Sequence, residues 1–164
     1  MDHKEKQFNI FTKPELEKIK LWCAYQERSH YETSIKLKKA GCKDSEIENI
    51  ISELISENFL NEERFSKAFA GGKFRIKLWG RVKIKNELIK HRVSAPNIQL
   101  ALADIDETEY KKTIEKLVLK KLKTFGSQLT ASQKASIYRY LISKGFETDL
   151  VMEQINRNFS EDES

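Results

Sequence analysis

Apolar residues recur along this chain mainly at intervals of three and four. Ile47, Ile50, Ile51, Leu54 and Ile55 form the i, i+3, i+4, i+7, i+8 stripe of an amphipathic helix. Ile114, Leu117, Val118, Leu122 and Phe125 keep the same spacing before Gly126, and Ala135, Tyr138, Leu141 and Ile142 keep it before Gly145. Helix starts are marked by capping boxes, in which a Ser, Thr or Asp is followed three residues on by Glu or Gln. They occur at Thr12-Lys13-Pro14-Glu15, Ser29-His30-Tyr31-Glu32, Asp106-Glu107-Thr108-Glu109 and Thr130-Ala131-Ser132-Gln133. The first predicts a helix to about Glu27; the second predicts one to Lys39, stopped at Gly41. Asp44 or Ser45 is expected to cap the Ile47 helix.

One stretch opposes this pattern. In FRIKLWGRVKIK, residues 74–85, apolar and basic residues alternate on both sides of Trp79-Gly80, as in a basic β-hairpin. An internal repeat decides against that reading. Leu37-x3-Gly41-Cys42-x4-Ile47-x3-Ile51 aligns with Leu88-x3-Arg92-Val93-x4-Ile98-x3-Leu102, and again with Leu141-x3-Gly145-Phe146-x4-Val151-x3-Ile155. Each unit holds a helix, a tight corner with an apolar plug, and a second helix. Because Leu88 takes the place of Leu37 and Leu141, Gly80, Ile84 and Leu88 fall on one helical line. A longer helix precedes each pair, and one is expected from Glu62 to Lys77. Gly71-Gly72 inside it costs about 1–2 kcal/mol relative to alanine, so a kink or break is expected there.

The predicted fold class is therefore all-α: three tandem three-helix (helix–corner–helix) modules in an elongated, curved array, stacked as repeats are. The expected boundaries are a tail at 1–13, modules at 14–60, 61–104 and 105–159, and an acidic tail at 160–164.

Composition narrows the chemistry. Two prolines and six glycines in 164 residues argue against disorder and against a turn-rich β protein. Cys23 and Cys42 form no CxxC pair, and His3, His30 and His91 are scattered, so no usual zinc spacing exists. The cysteines read as small apolar residues of a reducing compartment. The N-terminus lacks a signal-peptide apolar run and no segment is long and apolar enough to span a membrane, so a cytoplasmic protein is expected. No phosphate loop, GxGxxG, HExxH or GxSxG occurs, and Glu62-Glu63 reads as dipole-complementing charge at a helix start. No catalytic residue, cofactor site or metal site is predicted.

Charge is distributed unevenly. The net charge is +5, yet residues 73–92 carry eight Lys and Arg against Glu87 alone, while 44–63 is acidic. An anionic contact is predicted at Lys73, Arg75, Lys77, Arg81, Lys83 and Lys85, through phosphate or an acidic protein surface. The second run, Lys111, Lys112, Lys116, Lys120, Lys121 and Lys123, is read as a solvated face. Trp22, Phe65 and Phe69 are assigned to cores; Trp79 beside the basic corner could be buried, pack on a neighbour or stack on a base.

The segment NEERFSKAFAGGKFRIKLWGRVKIKNELIKHRV resembles the central module of the RecX family. The resemblance rests on Asn61, Phe65, Ala68, Phe69, the basic run from Lys73 to Lys77, then Gly80, Ile84, Glu87 and Leu88. ERSHYETSIKLKKAG resembles the family's first module, and KASIYRYLISKGFETDLVMEQI its third, so that about residues 15–158 are covered. The sequence departs from the pattern at Asn61, Gly71-Gly72 and Arg92. The resemblance implies a non-enzymatic regulator of the RecA recombinase, lying along the groove of the RecA–DNA filament and inhibiting strand exchange and coupled ATP hydrolysis. It implies a RecA filament as partner, with DNA bound weakly alone, in recombination and DNA repair; no membrane partner is expected, and a monomer is expected. The residues by themselves leave open a stand-alone helix-turn-helix DNA-binding protein, its recognition helix starting at Arg81, or a basic helical scaffold.

Overall fold

The computed structural model describes residues 13–126 and 129–160. Among them the chain forms α1 (Lys13–Tyr25), α2 (His30–Lys39), α3 (Asp44–Ser56), α4 (Glu62–Lys77), α5 (Arg81–Lys90), α6 (Ala95–Ala103), α7 (Glu107–Phe125), α8 (Ala131–Ser143) and α9 (Thr148–Ser160), with no strand. The all-α helix–corner–helix reading holds, and residues 74–85 are the end of one helix, a corner and the start of the next.

Caps explain most of the boundaries. Ser29 accepts from the Glu32 N–H at 3.0 Å while the Glu32 carboxylate accepts from the Ser29 N–H at 3.0 Å, both halves of the box. Asp106 and Thr130 accept from the N–H groups of Glu109 and Gln133. The predicted Thr12 cap lies outside the described residues. The start of α3 differs by one position from expectation. Lys43 is its N-cap, its N–H donating to the Glu46 carboxylate at 2.7 Å, which leaves Asp44 in the first turn, where its charge complements the dipole. Helix α1 ends at Tyr25 rather than near Glu27, because Glu27 and Arg28 belong to the turn that delivers Ser29.

The three corners are built alike. The plug N–H donates across the corner to the repeat leucine: Cys42 to the Leu37 carbonyl at 3.2 Å, Val93 to Leu88 at 3.1 Å, Phe146 to Leu141 at 3.2 Å. All six side chains are buried. The residue before each plug has positive φ: Gly41 at 94°, Arg92 at 57° and Gly145 at 90°, the left-handed conformation that ends helices in this motif. Arg92 takes it without being glycine, its guanidinium lying over the Tyr31 ring at 4.3 Å.

Helix α4 runs unbroken through Gly71 and Gly72. Its N-terminus is tied down by Glu62, which accepts from Ser94 Oγ at 2.7 Å and Asn97 Nδ2 at 2.5 Å on the α6 side. Such anchoring, together with packing of α4 on α6, outweighs the weak propensity of two glycines.

Two cores result. One gathers Ile19, Cys23, Leu37, Cys42, Ile47, Ile50, Leu54 and Leu60 from α1–α3 and the turn after them. The other is continuous from Phe65 on α4 to Ile155 on α9. Burial pushes the Cys23 thiol up to about 11, which makes it an inert core residue; no disulfide joins Cys23 and Cys42.

Equivalent contacts join successive modules. The start of α5 sits on the third corner: the Gly80 N–H donates to the Lys144 carbonyl at 2.8 Å and the Val82 N–H to the Gly145 carbonyl at 3.0 Å. Two N–H groups orphaned by the helix start are thereby satisfied. One repeat earlier, the start of α2 meets the second corner, where Ser29 Oγ lies 3.0 Å from His91 Nδ1.

Candidate functional site

A helix turns 100° per residue, so the alternating cations of 73–85 do not share one face. Lys73 and Lys77, four apart, project from one side of α4, and Arg75 from the other. Lys83 is likewise opposed on α5 to Arg81 and Lys85. The six residues singled out by sequence therefore fall into three settings.

Lys73 and Lys83 converge on Trp79. Their ammonium groups lie 4.9 and 4.5 Å from its ring centroid, and Lys73 is also 5.3 Å from that of Phe69. Trp79 is half-buried against the second core, so its body packs inward while its ring carries two cations. Lys77 is exposed, and its carbonyl accepts from Lys144 Nζ at 3.2 Å.

Arg75 is exposed and folds back over Gly71, where a side chain would meet its guanidinium at 2.9 Å. Lys85 is exposed on α5.

Arg81 is engaged within the chain. Its guanidinium pairs with Glu107 and, at 3.4 Å, with Glu147, and stacks 3.9 Å from the Tyr110 ring centroid. The Tyr110 hydroxyl donates to Glu147 at 2.5 Å and accepts from the Arg81 N–H at 3.0 Å. Burial lowers the Arg81 pKa, but the Glu107 hydrogen bond and the Glu107 and Glu147 charges outweigh it and hold the value above the ordinary. Burial and the Glu147 bond together push Tyr110 upward. This network clamps α5 onto the α7 and α8–α9 side of the molecule.

The third module adds cations that linear charge counting assigned elsewhere. Lys144 is lowered from its ordinary pKa by burial and by the charges of Lys83 and Lys120, which places these three ammonium groups near one another. Lys121 and Lys144 lie 4.1 and 5.6 Å from the Tyr140 ring centroid. Lys73, Lys83, Lys120, Lys121 and Lys144 form no ion pair with the described residues. The result is a face crossing α4, α5, α7 and the third corner, with Trp79 and Tyr140 interleaved among cations that lack a close ion-pair partner among the described residues; Glu87 acts on Lys83 at longer range. Sequence inspection missed Lys120, Lys121, Lys144 and Tyr140 as members; the signal was present as the second basic run and the basic corner, but their convergence is tertiary. Mutual repulsion at such a face is relieved by an anionic ligand. Among the described residues no three metal-ligating side chains cluster, and no helix is long and apolar enough to cross a membrane.

Comparison with known proteins agrees with this architecture. Residues 61–102 match the family model of the RecX second three-helix domain. The regulatory protein RecX of Haemophilus influenzae strain PittGG is 27% identical over 139 residues, covering 84% of this chain and 90% of the relative. That of Serratia proteamaculans strain 568 is 32% identical over 119 residues, covering 70% and 66%. A crystal structure of RecX from Lactobacillus salivarius superimposes with a TM-score of 0.77 at 20% identity, over 87% of this chain and 92% of that one. With the module order, the repeated corners and these relatives in agreement, the chain belongs to the RecX family of regulatory proteins.

Proposed function

We propose that the protein binds the RecA–DNA filament and restrains recombination and the coupled ATP hydrolysis, without chemistry of its own. The observation that carries this reading is the cation–aromatic face spanning modules 61–104 and 105–159. Phosphate or acidic side chains lining a filament groove are its complement, and a rigid array touching successive subunits gains affinity through multivalency. Lys73, Lys77 and Lys83 supply contacts, Arg75 and Lys85 flank them from the other sides of α4 and α5, and Arg81 fixes the helix that presents Lys83. ATP belongs to the partner. A monomer suffices, because the repeated modules provide within one chain the several contacts that an oligomer would otherwise supply.

A stand-alone duplex reader led by the start of α5 is disfavoured, since its Arg81 side chain and its Gly80 and Val82 N–H groups are already taken up internally. Titration into RecA filaments on single-stranded DNA, following ATP turnover beside a bare-DNA binding control, separates the readings. Inhibition well below the dissociation constant for bare DNA is the expected outcome. Sequence-selective duplex binding with unchanged turnover would reject the proposal.

A further inference from the structure

A trench of about 830 Å³ runs between α4, the end of α6 and α7. Its floor is apolar, formed by Phe74, Leu78, Ala101, Ile105 and Leu117. Along α4 its wall is low, because Ala68 and Gly71 carry little or no side chain. From Arg64 to Leu78 the α4 wall is about 21 Å long, and from Glu109 to Lys120 the α7 wall is about 16 Å. These lengths match about three to four turns of a bound helix rather than a compact metabolite.

The lining charges decide what fits. Arg64 and Lys67 are already paired, with Glu27 and Glu63. Glu109 pairs with Lys112, and Asp106 caps α7. Arg75, Lys116 and Lys120 also line the trench and have no ion-pair partner among the described residues; the acid left over is Asp104, which interacts with Lys67. The trench is thus an apolar channel with net uncompensated positive charge.

We propose that it docks an acidic amphipathic segment of a partner protein, apolar side chains on the Phe74–Leu117 floor and carboxylates at Arg75, Lys116 and Lys120. This is helix-in-groove recognition, with the charges setting orientation and selectivity. Gly71 acquires a reason on this view: with no side chain it leaves room for the Arg75 guanidinium, which lies over it on the channel wall where a bound carboxylate can reach it. The trench reading stands whether or not the filament is the target.

The test uses the full chain with neither RecA nor DNA. The probe is a fluorescein-labelled synthetic helical peptide of about fourteen residues, with leucines at i, i+3, i+4 and i+7 and glutamates elsewhere; its lysine counterpart is the control. Anisotropy should show the glutamate peptide binding at least roughly tenfold more tightly than the lysine one. Amide shifts in two-dimensional NMR should centre on Ala68, Gly71 and Leu117. Gly71→Leu should abolish binding without lowering Tm, since the new Cβ meets only the flexible end of Arg75. Lys116→Glu with Lys120→Glu, both at exposed positions, should weaken it at least roughly tenfold should the first variant fail to fold. Equal binding of the lysine peptide, unaltered binding by the variants, or displacement by octanoate or a single-stranded oligonucleotide at equimolar concentration would overturn the proposal.

Discussion

Gly80 and Gly145 approach so closely that a methyl group on Gly80 would lie 2.2 Å from the Gly145 carbonyl, and one on Gly145 2.3 Å from Lys83 Cβ. Both neighbours are fixed by corner hydrogen bonds, so relief requires separating the modules. Gly80→Ala should lower stability by about 1–3 kcal/mol, seen as a shift in urea midpoint. Gly145→Ala should cost more, adding left-handed strain at φ 90°. Gly41→Ala isolates the strain component, since it shares positive φ but meets nothing within 4 Å; about 1 kcal/mol is expected. Equal losses for the three would contradict the tight junction.

The first junction holds a titrating pair. Burial keeps His30 below its ordinary 6.5, so unfolding takes up a proton between its folded and unfolded values, and stability falls as pH drops through that interval. Glu62 is raised by burial, but hydrogen bonds from Ser94 and Asn97 outweigh this and hold it below 4.5; its contribution is present above 4.5 and is lost as pH falls through its folded value. Thermal unfolding should therefore begin to weaken just under 6.5, before carboxylates titrate, and His30→Gln should remove that early loss. A profile flat to about pH 5 in the parent protein would contradict the assignment.

At the scale of elements, α4 carries its glycines at a cost. A methyl group added at Gly72 would meet nothing within 4 Å, so Gly72→Ala should raise stability by about 1 kcal/mol, read by thermal or urea unfolding; a loss would mean that α4 needs the flexibility. The helices, their order and the three corners were legible in the sequence because each is local: a stripe, a cap, and a leucine and plug at fixed spacing. The alternation at 74–85 misleads because it is not a burial pattern. Phe74 and Ile84 are buried, whereas Ile76 is 78% and Val82 48% exposed. The break expected at Gly71-Gly72 does not occur, since Ser94 and Asn97, which anchor Glu62, and the packing of α6 hold α4 from outside its own sequence.

At the scale of the whole molecule, the candidate face was legible only in part. Counting charge along the chain identified Lys73 and Lys83, but placed Arg81 among them although it clamps the junction through Glu107, Glu147 and Tyr110. It also separated Lys120, Lys121 and Lys144, which only tertiary packing brings beside Lys83. Charge reversal at Arg81 would consequently report on folding as much as on binding. The most direct measurement of the central claim uses Lys73→Glu, Lys83→Glu and Lys121→Glu combined, with helicity and Tm matched to the parent. Titrated into RecA filaments on single-stranded DNA, the variant should need at least roughly tenfold more protein for half-inhibition of ATP turnover. An unchanged inhibition curve from a folded variant would contradict the account.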